Sequence, residues 1–278
     1  MHNWQRRTLL TIGAVGLVGV VIPRYLWFRR RRFGPQWRLS SLTWRGQEPL
    51  ALAHLPHGHE RLIVVAHGLL KSMSTPGIMR MAEMLGERFD VLSFDFPGHG
   101  DSSGELPMDF DRAAHTLSRV VSHGRSLGYE RVAVLGYSLG GAAAIIATAT
   151  GVPIDAVVAV SSPVKPSGNG HMAAWSLRTL TGWMRLMGSR VSPTVNNSSW
   201  PIEYVARVSP TPLLIVHCGL DTLIPREHSE ALFAVARPPK DYVHVPRALH
   251  AAPTAAAKQI IAWLDEKMPP ANRIVCSQ

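Results

Sequence analysis

Apolar residues along this chain gather into short unbroken runs, separated by longer segments with a helical period. Val132 to Leu135 is the cleanest run, four apolar residues rich in β-branching, as a strand buried on both faces requires. Gly136-Tyr137-Ser138-Leu139-Gly140 follows at once, and an Ala/Ile run after it predicts a helix to Ile146. Similar runs predict strands over Arg61–Ala66, Phe89–Phe94, Asp155–Val160, Pro212–Cys218 and Tyr242–Val245. The segments between them predict helices over Met79–Glu87, Asp111–Leu127, Arg226–Ala236 and Ala251–Lys267. Strands alternating with helices imply a mostly parallel sheet with helices on both faces. Ahead of them, Trp37 to Trp44 alternates as a half-exposed strand does, and Leu50–Leu55 reads as its antiparallel partner across a turn at 45–48. The expectation is one α/β domain over residues 36–278, with a frayed tail from Pro269.

Two stretches break the alternation. The interval 164–211 is long and carries Trp175, Leu177, Leu180, Trp183, Met184 and Met187 at roughly helical spacing. An insertion there lies above the carboxyl ends of the strands, where such sheets bind ligands. It reads as a small helical lid whose apolar residues line a substrate pocket, pack the lid onto the body, or both. Residues 1–35 form the other stretch. An apolar run over 8–22 is bounded by Arg6 and Arg7 on one side and by Arg24 and Arg29 to Arg32 on the other. The run is short beside the roughly 20 residues of a spanning helix. It reads as a single-pass membrane anchor with Tyr25 and Trp27 at the interface. Two export signals compete: a cleaved secretory peptide, against which stands the lack of an A-x-A-like site, and a loose twin-arginine pattern at Gln5–Leu10. Arginines are more numerous on the C-terminal side, so an anchor would hold the body in the cytoplasm.

Charge sharpens this picture. The net charge of +10 resembles a nucleic-acid signal, yet residues 1–38 hold eight arginines and no acid. Without them the body is nearly neutral, so the basic excess points to a membrane surface and not to nucleic acid. With 46% hydrophobic and 17% charged residues the body can bury a large core. Cys218 and Cys276 make no disulfide framework, and no Cys/His spacing suggests a metal site. No metal and no cofactor are expected.

The candidate chemistry begins at Ser138. A Ser at the tip of so tight a strand-to-helix turn occupies a sparsely populated backbone region. Glycines at 136 and 140 are expected to remove side chains that would collide where strand and helix meet. A Ser that merely caps the helix would produce the same five letters. What separates the two is whether a base and an orienting acid reach the hydroxyl. Asp221 follows the predicted strand ending at Cys218, and His250 follows the one ending at Val245. Both therefore fall at carboxyl ends of strands, on the rim expected for Ser138. Other candidates read as structural. His67 and His99 lie in rim loops they would fix, His217 lies inside a strand, and Asp95 and Asp101 hold a loop by local backbone bonds. Asp155 opens its strand at the far rim.

From about Gln36 onward the chain resembles the α/β-hydrolase superfamily, and within it the monoacylglycerol-lipase and serine-aminopeptidase type. The resemblance is carried by His67-Gly68, by Asp95-x-Pro-Gly-His-Gly-Asp-Ser102, by Gly136-Tyr-Ser-Leu-Gly140, by Asp221-x-x-x-Pro225 and by His250, in that order. It implies Ser138 as nucleophile, Asp221 as acid and His250 as base, with the backbone N–H groups of Leu69 and Leu139 as oxyanion hole. A helix-start amide at Leu139 suits that role independently, because it has no intrahelical acceptor. Leu69-Leu70 replaces the glycine run that some esterases carry after His-Gly, a bulkier loop that bears on substrate size.

The expected activity is serine hydrolysis of carboxylic esters or lipids with an apolar acyl group, through an acyl-enzyme. Amide, peptide or thioester cleavage is the alternative, and a peptidase would need a lid carboxylate for the substrate amine, for which Glu203 is the sole acid at hand. A non-catalytic binding protein on a hydrolase fold is the third reading.

Overall fold

The computed structural model describes residues 33–44, 46–69, 71–164, 190–195, 199–250 and 253–270. Ten strands appear among them: β1 (Arg38–Trp44), β2 (Gln47–Leu55), β3 (Arg61–Ala66), β4 (Asp90–Phe94), β5 (Leu106–Met108), β6 (Arg131–Tyr137), β7 (Ala156–Val160), β8 (Val191–Val195), β9 (Leu213–Cys218) and β10 (Lys240–Val245). Eight of them form one sheet in the order β1-β2-β4-β3-β6-β7-β9-β10. Only the β1–β2 and β2–β4 pairs are antiparallel. The other pairs are parallel, as the alternation of strands and helices implies.

Every residue of β3, β4, β7 and β9 is buried. Side chains alternate across a strand, so each unbroken apolar run feeds two cores. Leu62, Val64, Val132, Val134, Val157, Leu213 and Ile215 face one layer. Ile63, Val65, Ala133, Leu135, Val158, Leu214 and Val216 face the other. The helices α1 (Pro76–Leu85), α2 (Phe110–Ser126), α3 (Leu139–Ala149), α4 (Pro201–Tyr204), α5 (Arg226–Val235) and α6 (Ala257–Lys267) divide accordingly. Buried residues of α2, α3 and α5 pack on the first face, and those of α1 and α6 on the second.

Several boundaries differ from expectation, each for a local reason. β1 buries only Leu42 and leaves Leu39 61% exposed, because it is the outer strand of the sheet. Helix α1 starts three residues early, at Pro76, since extended Thr75 and a Pro in the first turn begin a helix well. The closing helix starts late, at Ala257, after a 3-10 turn at Pro253–Ala256. The residue before a proline is biased away from helix, which delays the start. β5 and β8 pair as a separate parallel ribbon that the pattern does not suggest, because Pro107 and Pro193 stand inside them. The expected anchor and most of the expected lid, residues 1–32 and 165–189, lie outside the described residues.

Candidate active site

Ser138 joins β6 to α3 with φ 50° and ψ −108°, a conformation that costs a non-glycine residue about 1–3 kcal/mol. Its side chain makes no capping hydrogen bond, so the helix start gains nothing from the hydroxyl. The backbone N–H instead donates to the Val160 carbonyl at 2.8 Å, tying the turn to β7. Of the two flanking glycines, Gly136 acts as expected and Gly140 does not. A Cβ on Gly136 would overlap the Gly140 carbonyl, which is the expected clash of strand against helix. A Cβ on Gly140 would overlap the Ala66 carbonyl and approach the Ala66 Cβ to 2.9 Å, so this glycine makes room for β3. Both obstacles are backbone and cannot rotate away. Gly140→Ala should therefore cost about 3 kcal/mol by thermal or denaturant unfolding. Gly77→Ala, an exposed helical position with nothing within 4 Å of the new Cβ, should be neutral or stabilising by the same measurement.

Asp221 follows β9 and His250 follows β10, and the structure brings these two together. His250 Nδ1 lies 2.7 Å from Asp221 Oδ2. Asp221 Oδ1 accepts the N–H groups of Leu223 and Ile224 at 3.0 and 2.9 Å. The Asp221 side chain has no exposed surface, whereas that of His250 is 21% exposed. Burial alone would push the Asp221 carboxyl up. The His250 and Ile224 hydrogen bonds and the Ser161 hydroxyl beside it outweigh burial and hold it below the usual carboxylate range. Ser161 is the residue that the pattern misses. It is fully buried at the end of β7, the strand between β6 and β9, with φ 48°. Its one signal is position: a Ser just past a buried strand, on the rim that carries Ser138 and Asp221.

The loop after β3 lies against the Ser138 turn. A Cβ on Gly68 would stand 3.2 Å from Ser138 Cβ and 3.3 Å from the Tyr137 carbonyl. Leu69 is the next residue of this loop, and Leu139 is the first of α3. His67 fixes this loop, as expected. Its Nδ1–H donates to the Gly68 carbonyl at 2.7 Å and its Nε2 accepts the Phe96 N–H at 3.0 Å. Burial pushes His67 down to about 4, so the ring is neutral and both bonds require that one tautomer. His99 is pushed down to about 3, by burial first and by His67 next, and neither ring belongs to the Asp221–His250 pair. Asp95 anchors the loop after β4 by accepting the N–H groups of Met73 and Asp101 at 2.7 and 2.8 Å. His217 is buried in β9 beside Ser229, and Asp155 accepts the Val132 N–H at 2.7 Å at the opposite rim.

The arrangement sets the Ser138 turn and the hydrogen-bonded Asp221–His250 pair on one rim of the sheet. No group of three or more His, Cys, Asp or Glu among the described residues could hold a metal ion. A family model for the alpha/beta hydrolase fold matches residues 61–199. The chain is 32% identical over 193 residues to the protein YfhR of Escherichia coli O157:H7, an alignment that covers 68% of this chain and 62% of that one. It thus spans less than two thirds of that relative's length. A Mycobacterium tuberculosis protein, Rv2307c, is 28% identical over 267 residues, 88% of each chain. Among solved structures, the esterase Pf2001 of Pyrococcus furiosus matches with a TM-score of 0.69 at 19% identity, over 85% of this chain and 97% of that one. At that identity the likeness concerns the fold alone.

Proposed function

This chain belongs to the alpha/beta hydrolase fold family, and from that premise we propose that it is a serine hydrolase cleaving carboxylic esters with an apolar acyl group. The observation that carries this reading is the 2.7 Å Asp221–His250 hydrogen bond on the rim that also holds the Ser138 turn. β7 alone separates β6 from β9, so Ser138 and Asp221 leave the sheet about 10 Å apart. On this reading the His250 ring, held at Nδ1 by Asp221, spans that gap and offers Nε2 to the Ser138 hydroxyl.

On this reading His250 Nε2 takes the Ser138 proton as Oγ attacks the ester carbonyl. Asp221 holds Nδ1–H and stabilises the imidazolium. The carbonyl oxygen becomes an oxyanion facing the Leu69 and Leu139 N–H groups, each worth about 2.7–4 kcal/mol in the transition state. His250 then returns the proton to the leaving alkoxide, and an acyl-Ser138 ester remains. Water repeats the sequence and frees the acid. Nothing in these steps calls for a metal or cofactor.

The amide-cleaving alternative is disfavoured by Glu203, whose carboxylate accepts the Trp200 N–H at 3.3 Å as a helix cap. The finer likeness to the monoacylglycerol-lipase type, and a membrane tether in residues 1–35 with the domain on the cytoplasmic side, belong to the same proposal; export is the competing reading. No helix among the described residues is long and apolar enough to cross a membrane, and the run over 8–22 lies outside them. The test is turnover of nitrophenyl esters of increasing chain length beside aminoacyl nitroanilides. With an apolar acyl pocket, each added methylene contributes about 0.8 kcal/mol, roughly a fourfold gain in kcat/KM, until the pocket is full. Anilides turned over as fast as esters would overturn the ester reading.

A further inference from the structure

A pocket lies away from Ser138, between α2 and the start of β2. It has a volume of about 280 Å³, and Glu48, Glu105, Arg112, His115, Thr116 and Arg119 are among its lining residues. That size falls near the lower end of small-molecule sites, roughly 300–1,000 Å³. None of Ser138, Asp221 and His250 lines it. β2 stands three inter-strand spacings from β6, about 14 Å.

Helix geometry builds one wall. Residues 112, 115, 116 and 119 are spaced at i, i+3, i+4 and i+7, so α2 presents two guanidiniums and an imidazole on one stripe. Arg119 is the innermost, 6% exposed. Its Nε and Nη2 are buried without a hydrogen-bond partner among the described residues. A buried donor left unpaired is costly, and a buried cation more so. Burial also draws the Arg119 pKa down. The two unpaired atoms lie along one edge of the guanidinium, where Nε–H and an Nη2–H point in parallel. That edge matches two oxygens of a carboxylate or phosphate.

The opposite wall is acidic. Glu48 stands at the start of β2, and the loop carrying Glu105 is tied to β2 by two bonds. Ser103 N–H donates to the Pro49 carbonyl at 3.1 Å, and Ala51 N–H donates to Ser102 Oγ at 2.8 Å. Gly104, at φ +77°, lets this loop close over Glu48, whose Cγ would lie 3.0 Å from a Cβ there. A bare anion on the helix wall would face the carboxylate of Glu48 across the pocket. A ligand bearing both signs meets a partner on each side.

We propose that this pocket binds a small zwitterion, with its oxyanion on Arg119 and Arg112 and its ammonium on Glu48. The proposal is independent of the ester reading. Nε and Nη2 are out of contact with solvent, so binding requires that an exposed neighbour on the wall, Arg112 or His115, move aside.

The experiment is calorimetric titration of the full chain at low ionic strength with phosphoethanolamine, with inorganic phosphate and ethanolamine as the two half-probes. Saturable binding of phosphoethanolamine is expected, with each half-probe weaker by at least about tenfold. Arg119→Met and Glu48→Gln should each weaken phosphoethanolamine by a similar factor while ester turnover stays unchanged. If Arg119→Met does not fold, Arg112→Gln and Glu48→Gln, both at exposed positions, carry the same test. Absence of saturable phosphoethanolamine binding overturns the proposal, and so does binding that these variants leave unchanged. Phosphate bound as tightly as phosphoethanolamine overturns its ammonium half.

Discussion

Ser138→Ala is expected to lower ester turnover by about 10⁶-fold and to abolish labelling by a fluorophosphonate probe, with little change in stability. The rate loss corresponds to about 8 kcal/mol of transition-state stabilisation. It follows from the proposed role, since no other hydroxyl in the turn can open the acyl-enzyme route. The small stability change follows from the turn itself. The Ser138 side chain makes no capping hydrogen bond, so its removal leaves the helix start as it was. The turn's strain belongs to φ 50°, which Ala shares with Ser. Unfolding free energy should therefore move by no more than about 0.5 kcal/mol. The two readouts together separate chemistry from fold. Undiminished labelling of the variant would remove Ser138 from the nucleophile's role.

The centre of the sheet was legible because β3, β4, β7 and β9 are fully buried. An unbroken run such as Leu62–Ala66 has no other stable setting at that length, and its alternate residues supply both cores. The edges were less legible. β1 borrows its place from β2, and β5 and β8 form a ribbon despite the prolines within them, held by pairing across more than 80 residues that no local pattern encodes. At the site, letters and order pointed to Ser138, Asp221 and His250, and to His67 and Asp95 as loop-fixing groups. Spacing could not give the reason for Gly140, because the atom it avoids belongs to Ala66 on a different strand. Ser161 escaped notice for the same reason: its neighbour Asp221 is 60 positions away in the chain and adjacent only once β7 and β9 pair. Tertiary contacts of this kind leave no periodic trace.

Asp221→Asn should lower kcat by about 10⁴-fold, and the hydrogen bonds around Asp221 say why an amide cannot substitute. Oδ1 of Asp221 accepts two backbone N–H groups, from Leu223 and Ile224. An Asn must keep its carbonyl oxygen there, because turning its NH₂ toward two donors would leave all of them unpaired in a side chain with no exposed surface. The NH₂ is thereby forced into the place of Oδ2, 2.7 Å from His250 Nδ1. Nδ1 must then accept, so the ring carries its proton on Nε2 and cannot take one from Ser138. The positive charge that develops on His250 also loses its counter-charge. Both effects act on kcat and leave substrate contacts alone, so KM should change little. The expected loss corresponds to about 5.4 kcal/mol. A loss below tenfold would show that the imidazole keeps its tautomer without this carboxylate, and the orienting acid would have to be sought elsewhere on the rim.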